Sequence, residues 1–197
     1  LADRLQTPLF VLSDLDIGMN DWMIPELQWD DDYQPDPGKL LSSEDVDKLE
    51  KFYRYLDVDG DGIAARTLPG ENPKGAYFVR GSGHNKHGTY TESSKEYKEL
   101  VDRWVVQWST ARSLVPGPIL KPAQKETTIG IIAYGSSDGA VLEALDQLAA
   151  NNIHADYMRV RAFPFNGEVG EFVKNHETVF VVEQNRDAQL RSLLILE

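Results

Sequence analysis

The sequence has no cysteine among its 197 residues. That absence excludes disulfide bonds, a cysteine nucleophile, Cys-ligated zinc and an iron–sulfur cluster held by this chain. The sequence also has no apolar run near the roughly 18 residues of a membrane span. Basic residues are few, since 20 Lys and Arg against 32 Asp and Glu give a net charge of −12. This charge disfavours nucleic acids and anionic membranes as partners. The absence of cysteine fits a reducing compartment, and we predict a cytoplasmic protein.

The rest of the composition is that of a folded protein, with 41% hydrophobic and 26% charged residues. The sequence begins at Leu1 rather than Met, and it ends in the apolar run 193–196. We therefore expect a piece of a longer polypeptide. The apolar surface that such a piece exposes is expected to be covered by a partner chain or by a second copy.

Two acidic residues follow a short apolar run near the start. Residues 9–12 are continuously apolar, which is typical of a strand buried on both faces of a parallel sheet. Asp14 and Asp16 come next, at a strand end where α/β proteins usually bind ligands. These carboxylates are candidates for binding a metal or a substrate hydroxyl. The alternative is that they cap a helix or form hydrogen bonds at an interface.

The middle of the chain is predicted to hold two helices among loops. Residues 29–38 combine acids, proline and glycine, which predicts a surface loop. Ser42 or Ser43 caps a helix that ends near residue 56, residues 76–79 form a candidate strand, and a longer helix opens at residues 93–94. Each helix carries one apolar stripe: Val46, Leu49, Phe52, Tyr53 and Leu56 in the first, and Tyr97, Leu100, Val101, Trp104, Val105 and Trp108 in the second.

The last third of the chain alternates strands with helices. A Pro-rich stretch at 115–122 precedes it and is the best domain boundary. Three strands, at 129–134, 157–163 and 178–182, are each followed by a helix, which predicts an α/β fold with a parallel sheet and right-handed crossovers. Residues 135–139 open the first of these helices. They form either a phosphate site at a helix N-terminus or a simple helix cap.

Asp57, Asp59 and Asp61 place three carboxylates on alternate residues, followed by Gly62. Calcium loops gather hard oxygen ligands in this way. The match to an EF-hand then fails, because Ile63 comes one position too early and no helix follows. A looser Mg²⁺ or Ca²⁺ site and a solvated acidic turn both stay open. Residues 60–62 also mimic the start of a thiamine diphosphate motif, but a helix precedes them instead of a buried strand, so we reject that site.

A glycine-rich loop at residues 80–88 contains two bases and two histidines, with Arg80, His84, Asn85, Lys86 and His87. Glycine lets backbone amides approach an anion closely, and this is the one local basic cluster in an acidic chain. A third ligand near the two histidines is lacking in the sequence, so zinc is not predicted.

Five segments in a fixed order carry a resemblance to a known family. They are residues 8–20, 59–70, 81–85, 130–136 and 181–189. Together they resemble the alpha subunits of 2-oxoglutarate:ferredoxin oxidoreductases, in the 2-oxoacid:acceptor oxidoreductase family, over nearly the whole chain. The resemblance implies oxidative decarboxylation of a 2-oxoacid, which we expect to be 2-oxoglutarate. It also implies that the acyl group is joined to coenzyme A and that the electrons leave through iron–sulfur clusters to ferredoxin.

The resemblance also implies cofactors, partners and domains. Thiamine diphosphate with Mg²⁺ would lie between this alpha chain and a beta subunit in a homo-oligomer of heterodimers, with an iron–sulfur cluster on the partner. Residues 1–28 would end a pyrimidine-binding domain, residues 29–122 would form an irregular and helical connecting region, and residues 123–197 would form a truncated three-layer α/β/α domain like the C-terminal domain of transketolase.

The family's substrate motif Tyr-Pro-Ile-Thr-Pro and its Arg-Gly-Gly-Pro-Ser-Thr-Gly segment are absent from this sequence. The chain is therefore not expected to catalyse alone, and no catalytic residue is assigned. The resemblance implies cavity or interface positions for Asp14, Asp16, Asp61, Arg66, His84 and Asn85. Two other functions stay open: an acidic module that binds a divalent metal through Asp57, Asp59 and Asp61, and the corresponding domain of a pyruvate oxidoreductase.

Overall fold

The computed structural model of the protein describes residues 1–78 and 81–196. The chain divides into two compact units, Leu1–Leu9 with Trp29–Leu114 and Phe10–Gln28 with Val115–Glu197. Within the described residues, no helix combines the length and the apolar character needed to cross a bilayer. The assignment of residues 1–28, 29–122 and 123–197 to named domains stays a prediction.

The secondary structure consists of seven α-helices, one 3₁₀ turn and four strands in the described part of the chain. The helices are α1 (Ala2–Leu5), α2 (Leu15–Met19), α3 (Ser43–Lys48), α4 (Ser94–Leu114), α5 (Ser137–Ala150), α6 (Gly167–Lys174) and α7 (Gln189–Ile195), and the 3₁₀ turn is Pro73–Gly75. The strands are β1 (Ile119–Lys121), β2 (Ile129–Tyr134), β3 (Asp156–Val160) and β4 (Thr178–Val182).

Helix α3, in the first unit, is shorter than the sequence predicts. Its capping box forms as expected, with Ser42 Oγ accepting from the Asp45 amide and the Asp45 carboxylate accepting from the Ser42 amide. The helix ends at Lys48, so the prediction of a helix reaching residue 56 is wrong. The reason is tertiary packing, because Tyr53 and Tyr55 contact two histidines of the glycine-rich loop and the chain leaves the helix to reach them.

Helix α4 begins after Ser93, as predicted, but its apolar stripe is not its buried face. Leu100 and Ala111 are buried, and Ala111 packs with Leu5 and Ile63 in a small core. Most of the predicted stripe stays exposed, namely Tyr97, Trp104, Val105 and Trp108. The helix instead packs against the rest of its unit through a face that mixes polar and apolar side chains. Hydrogen bonds from this face help to hold the helix in place.

The second unit contains one sheet with the strand order β1-β3-β2-β4. Strand β2 is central and pairs in parallel with β3, with Ile131 opposite Tyr157, and with β4, with Ile132 opposite Val181. Strand β1 pairs antiparallel with β3 at the edge. The sheet is therefore mixed and mostly parallel, with one antiparallel strand that the sequence pattern did not predict.

Helices cover both faces of this sheet. Strand residues Ile131 and Ala133 pack with Val141 of α5 on one face. Ile132 and Met158 pack on the other face against α6 and α7, through Val169, Phe172 and Leu190. The alternation of adjacent β2 residues between the two cores follows from the two-residue period of a strand. The predicted three-layer α/β/α architecture is confirmed.

Two further strand predictions are wrong. Residues 9–12 form no strand, and the side chains of Phe10, Val11 and Leu12 are exposed. A strand needs a neighbour for its backbone groups, and no described strand lies beside this run; an apolar run alone cannot specify that neighbour. Residues 76–78 are likewise outside any strand. Val79, the last residue of that predicted strand, and Arg80, the first residue of the predicted glycine-rich loop, lie outside the described residues.

Candidate functional site

The acidic loop at residues 57–63 brings the three predicted carboxylates together. Oxygen atoms of Asp57, Asp59 and Asp61 lie within 4.8 Å of one another. The loop is shaped by Gly60 and Gly62, which have φ angles of 82° and 81°, a conformation that glycine adopts without strain. Asp57 closes the turn, since its carboxylate accepts hydrogen bonds from the amides of Gly60 at 2.9 Å and Gly62 at 2.8 Å.

Lys39 supplies the positive charge of this loop. Its Nζ donates to Asp59 Oδ1 at 2.5 Å, to Asp61 Oδ1 at 2.6 Å and to the carbonyl of Ile63 at 2.8 Å. Burial alone would lower the pKa of Lys39, but the two carboxylates outweigh it and raise that pKa. The hydrogen bond from Lys39 in turn lowers the pKa of Asp59. A divalent cation at Asp59 and Asp61 would have to displace this ammonium, so the predicted Mg²⁺ or Ca²⁺ site stays a prediction.

Helix α4 packs directly against the backbone of the same loop. A Cβ added to Gly62 would lie 2.2 Å from the backbone nitrogen of Gln107, so only glycine fits against this helix. Arg103 donates to the Gly62 carbonyl at 2.6 Å, and Thr110 donates to the Asp61 carbonyl at 2.7 Å. Asp61 and its flanking glycines are thus engaged in internal contacts. They do not fit the binding of a diphosphate and its Mg²⁺.

Arg66 donates hydrogen bonds to three residues of the first unit. Its guanidinium donates to Asp3 Oδ1 at 3.1 Å and to the carbonyl of Pro37 at 3.0 Å. Its backbone amide donates to the carbonyl of Lys39 at 2.9 Å, which positions the lysine that neutralises the acidic loop. The Arg66 Nε atom is buried without a hydrogen-bond partner. The side chain therefore has a structural role and keeps one unused donor.

Asn85 organises the glycine-rich loop. Its amide donates to the carbonyl of Thr89 at 2.9 Å, and its side-chain oxygen accepts from the amides of His87 at 3.0 Å and Thr89 at 3.1 Å. The side-chain nitrogen donates to Glu96 Oε1 at 3.2 Å. Hydrogen bonds from Thr91 first and then Asn85 lower the pKa of Glu96. Asn85 therefore fastens the loop to the first turn of α4.

The two histidines of this loop pack against tyrosines. His84 is buried and stacks on Tyr55, with ring centroids 3.9 Å apart and planes at 20°. His87 meets the edge of Tyr53 at 4.5 Å. The guanidinium of Arg54 lies 5.7 Å from the Tyr55 ring. The loop is thus part of a cluster of cationic and aromatic side chains. The sequence did not predict its contacts with the tyrosines, because these were assigned to a continuing helix.

Asp14, in the second unit, is a cap shared by two helices. Its Oδ1 accepts from the Ile17 amide at 2.8 Å at the start of α2, and its Oδ2 accepts from the Ser136 amide at 2.9 Å at the start of α5. These amides, with Ile17 first, lower the pKa of Asp14. Its carboxylate occupies the helix N-terminus where the sequence suggested a phosphate site. Asp16 accepts a hydrogen bond from the side chain of Asn20.

Two polar clusters of the second unit were not found in the sequence. Tyr157 donates to Asp138 at 2.7 Å, and Arg159 forms an ion pair with the same carboxylate at 3.2 Å. Burial first, and then the hydrogen bond to Asp138, raises the pKa of Tyr157. His176 Nε2 lies 2.9 Å from Asp156 Oδ2. These contacts join residues far apart in the chain, so no local motif signals them.

A cavity of about 570 Å³ opens beside the histidine of the second cluster. Its lining includes Leu120, Asp156, Glu168, Glu171, Phe172 and His176. The predicted site residues lie elsewhere, with Asp14 and Asp16 in the second unit and all the others in the first unit. The structure therefore brings the three loop aspartates together, and the roles predicted for Asp14, Asp16, Arg66, His84 and Asn85 stay predictions.

No protein-family model matches the chain. The alpha subunit of 2-oxoacid:ferredoxin oxidoreductase 2 from Aeropyrum pernix is 28% identical over 200 residues, which cover 98% of this chain and 30% of that protein. The 2-oxoacid:ferredoxin oxidoreductase subunit alpha from Saccharolobus solfataricus is 24% identical over 203 residues, which cover 100% of this chain and 31% of that protein. The chain thus spans less than a third of the length of both curated relatives.

A solved structure has a similar fold. It is the 2-oxoglutarate:ferredoxin oxidoreductase from Magnetococcus marinus with 2-oxoglutarate, coenzyme A and succinyl-CoA bound. The TM-score is 0.67 at 22% sequence identity, and the match covers 77% of this chain and 26% of that chain. At this identity the likeness concerns the fold alone, and it confirms the predicted α/β class.

Proposed function

We propose that this chain is part of the alpha subunit of a 2-oxoacid:ferredoxin oxidoreductase. The observation that carries the proposal is the alignment of almost the whole chain with two curated alpha subunits. The ordered family-like segments support it, because several of them form the contacts that hold each unit together. Asp14 joins two helices, and Asp61, Gly62 and Asn85 fasten loops to α4.

The proposed reaction is the oxidative decarboxylation of a 2-oxoacid. The bond between the carboxylate and the carbonyl carbon breaks to release CO₂, the acyl group is transferred to the coenzyme A thiol, and two electrons pass to ferredoxin. Thiamine diphosphate with Mg²⁺ supplies the carbanion chemistry when bound in the complex. Residues 60–62 do not fit that cofactor, so the contribution of this chain is a rigid scaffold and subunit contacts.

We infer that the substrate is 2-oxoglutarate and that the alternative is pyruvate. The resemblance of the five segments supports this choice, and the Magnetococcus marinus structure with a similar fold contains 2-oxoglutarate. The proposed assembly is a cytoplasmic homo-oligomer of alpha–beta heterodimers, in which the beta subunit holds an iron–sulfur cluster. The absence of cysteine from this chain is consistent with that division.

The test uses the intact subunit together with its partner subunit. We expect reduction of ferredoxin or a viologen dye that requires both coenzyme A and a 2-oxoacid, with kcat/KM for 2-oxoglutarate at least about tenfold above that for pyruvate. A preference for pyruvate would replace the substrate and keep the enzyme class. A complex that reduces neither acceptor with any 2-oxoacid would overturn the proposed function.

A further inference from the structure

Asn166 is followed directly by Gly167, and this is the only Asn-Gly pair in the sequence. In such a pair the backbone nitrogen of the glycine can attack the side-chain amide carbon of the asparagine. A Cβ atom on the second residue hinders that attack, whereas glycine has no Cβ and rotates freely about its backbone bonds. The pair lies in the second unit, where Asn166 precedes helix α6 and Gly167 is the first residue of that helix.

The backbone nitrogen of Gly167 is available for this attack. Gly167 is exposed, and a Cβ added to it would meet no atom within 4 Å. Its N–H donates no hydrogen bond in the part of the chain that the structure describes, as is usual for the first amides of a helix. The negative charge that develops on the attacking nitrogen is also stabilised at a helix N-terminus.

The side chain of Asn166 has little to hold its amide group in place. Its Oδ1 atom is buried and has no hydrogen-bond partner among the described residues, and the side chain does not cap the amides of α6. Its one hydrogen bond there is from Nδ2 to Glu168 Oε2, at 2.8 Å. Asn85 is the contrasting case, because its Oδ1 accepts from two backbone amides and its Nδ2 donates to Glu96.

Water reaches the Asn-Gly pair from the cavity of the second unit. Gly167 and Glu168 are both part of the lining of this cavity of about 570 Å³. An attack by the Gly167 nitrogen gives a cyclic imide, and the imide needs a water molecule to open again. The open cavity supplies that reactant on the same side of the helix.

We propose that Asn166 is a site of spontaneous deamidation in the folded protein. The Gly167 nitrogen forms a bond to Asn166 Cγ, the bond between Cγ and Nδ2 breaks, and ammonia leaves with the proton of the Gly167 amide. Water then opens the five-membered imide at either carbonyl, which gives aspartate or isoaspartate at position 166. One water molecule is consumed and one ammonia is released, so the change needs no further reactant.

The modification replaces a hydrogen bond by a repulsion. In either product a carboxylate stands where the Asn166 amide now donates to Glu168 Oε2, so two negative charges face each other at close range. Glu168 is also packed against the backbone of Gly117, where an added Cβ would lie 2.8 Å from the same Oε2 atom. We expect Glu168 to turn away toward the cavity. The isoaspartate product also lengthens the main chain by one carbon at the start of α6.

The test incubates the intact subunit at mildly alkaline pH and follows its asparagines by peptide mapping with mass spectrometry. We expect Asn166 to convert at least about tenfold faster than the exposed Asn152, which is followed by isoleucine. In Gly167→Ala the conversion of Asn166 should slow at least about tenfold, while the unfolding temperature does not fall, because the new methyl group has room. Gly170→Ala, at another helical glycine with nothing within 4 Å, is the matched control and should leave the rate within about twofold.

Equal conversion of Asn166 and Asn152 would overturn the proposal, and so would an unchanged rate in Gly167→Ala. The repulsion is tested separately with Asn166→Asp. We expect this variant to unfold about 2 °C below Asn166→Asp combined with Glu168→Gln at low salt, and we expect the difference to shrink at high salt. Equal unfolding temperatures at low salt would show that the two carboxylates do not repel each other and would overturn the proposed effect on α6.

Discussion

The ammonium of Lys39 lies 2.6 Å from Asp61 Oδ1, inside the loop whose sequence most resembles a metal-binding motif. The lysine precedes the aspartate by 22 residues, so the pairing depends on the fold and not on local sequence. The cation that balances the charge of this acidic turn is therefore a side chain of the protein itself, Lys39. The contact supplies positive charge that stabilises the crowded carboxylates of this turn.

The first prediction concerns this internal cation. Lys39→Met keeps the length of the side chain and removes the charge that holds Asp59 and Asp61 together. We expect the free energy of unfolding to fall by about 1 kcal/mol at low ionic strength, and we expect added Ca²⁺ to restore part of it. Thermal unfolding with and without Ca²⁺ measures both effects. Lys95→Met, at an exposed lysine, is the control, and identical Ca²⁺ binding by the unmodified protein and Lys39→Met would contradict the prediction.

The second prediction compares two glycines of one loop. Gly62→Ala places a methyl group against the backbone of Gln107, so we expect a loss of more than about 3 kcal/mol of stability. Gly60→Ala has almost the same φ and nothing within 4 Å of the new methyl group. It should cost only about 1 kcal/mol of backbone strain. Denaturant unfolding gives the free energy of unfolding of both variants. Equal losses would show that the close approach of α4 does not make Gly62 the more sensitive position.

The third prediction concerns a carboxylate at the start of α7. Burial would raise the pKa of Glu183, but hydrogen bonds from the amide of Leu190, the side chain of Asn185 and the amide of Arg191 outweigh it and lower that pKa. A carboxylate whose pKa is lowered by folding stabilises the protein above its unfolded pKa, and this stability is lost as the pH falls through the folded pKa. Glu183→Gln should therefore cost about 1 kcal/mol at neutral pH.

The loss in Glu183→Gln should shrink below about pH 4.5, the ordinary pKa of a glutamate. Unfolding of the unmodified protein and the variant across acidic and neutral pH measures this difference. Glu177→Gln, at an exposed glutamate, serves as the control and should show no comparable pH dependence. A constant difference between the unmodified protein and Glu183→Gln at every pH would refute the capping role of the charge.

The fourth prediction separates packing from chemistry at His84. His84→Phe keeps an aromatic ring against Tyr55, so we expect stability within about 0.5 kcal/mol of the unmodified protein, whereas His84→Ala should cost about 1–2 kcal/mol. If stacking is the role of this residue, turnover by the intact complex should survive in His84→Phe. A stable His84→Phe complex without turnover would instead assign the imidazole a chemical role.

The last third of the fold could be predicted because its signals are local. Strands such as 129–134 and 178–182 are short apolar runs bounded by turns, and the helices between them have regular spacing. The antiparallel strand β1 could not be predicted in the same way. It is three residues long and lies between prolines, and its pairing with β3 depends on a free edge that exists only after the sheet has formed.

The sequence predicted which aspartates and glycines form the candidate loop, but not the residues that contact that loop. Alternate aspartates and glycines indicated a tight acidic loop, and the structure contains one. The residues that complete it, Lys39 on one side and Arg103 and Gln107 on the other, come from distant parts of the chain. Residues 9–12 show the converse case, where a strong local pattern has no partner to pair with among the described residues.

The absence of a side chain at Gly62 has a mechanical consequence. Helix α4 rests directly on the loop backbone, and two of its side chains donate hydrogen bonds to successive loop carbonyls, so the position of the helix and the conformation of the turn depend on each other. A substitution that displaces this part of the helix would therefore also displace the loop aspartates.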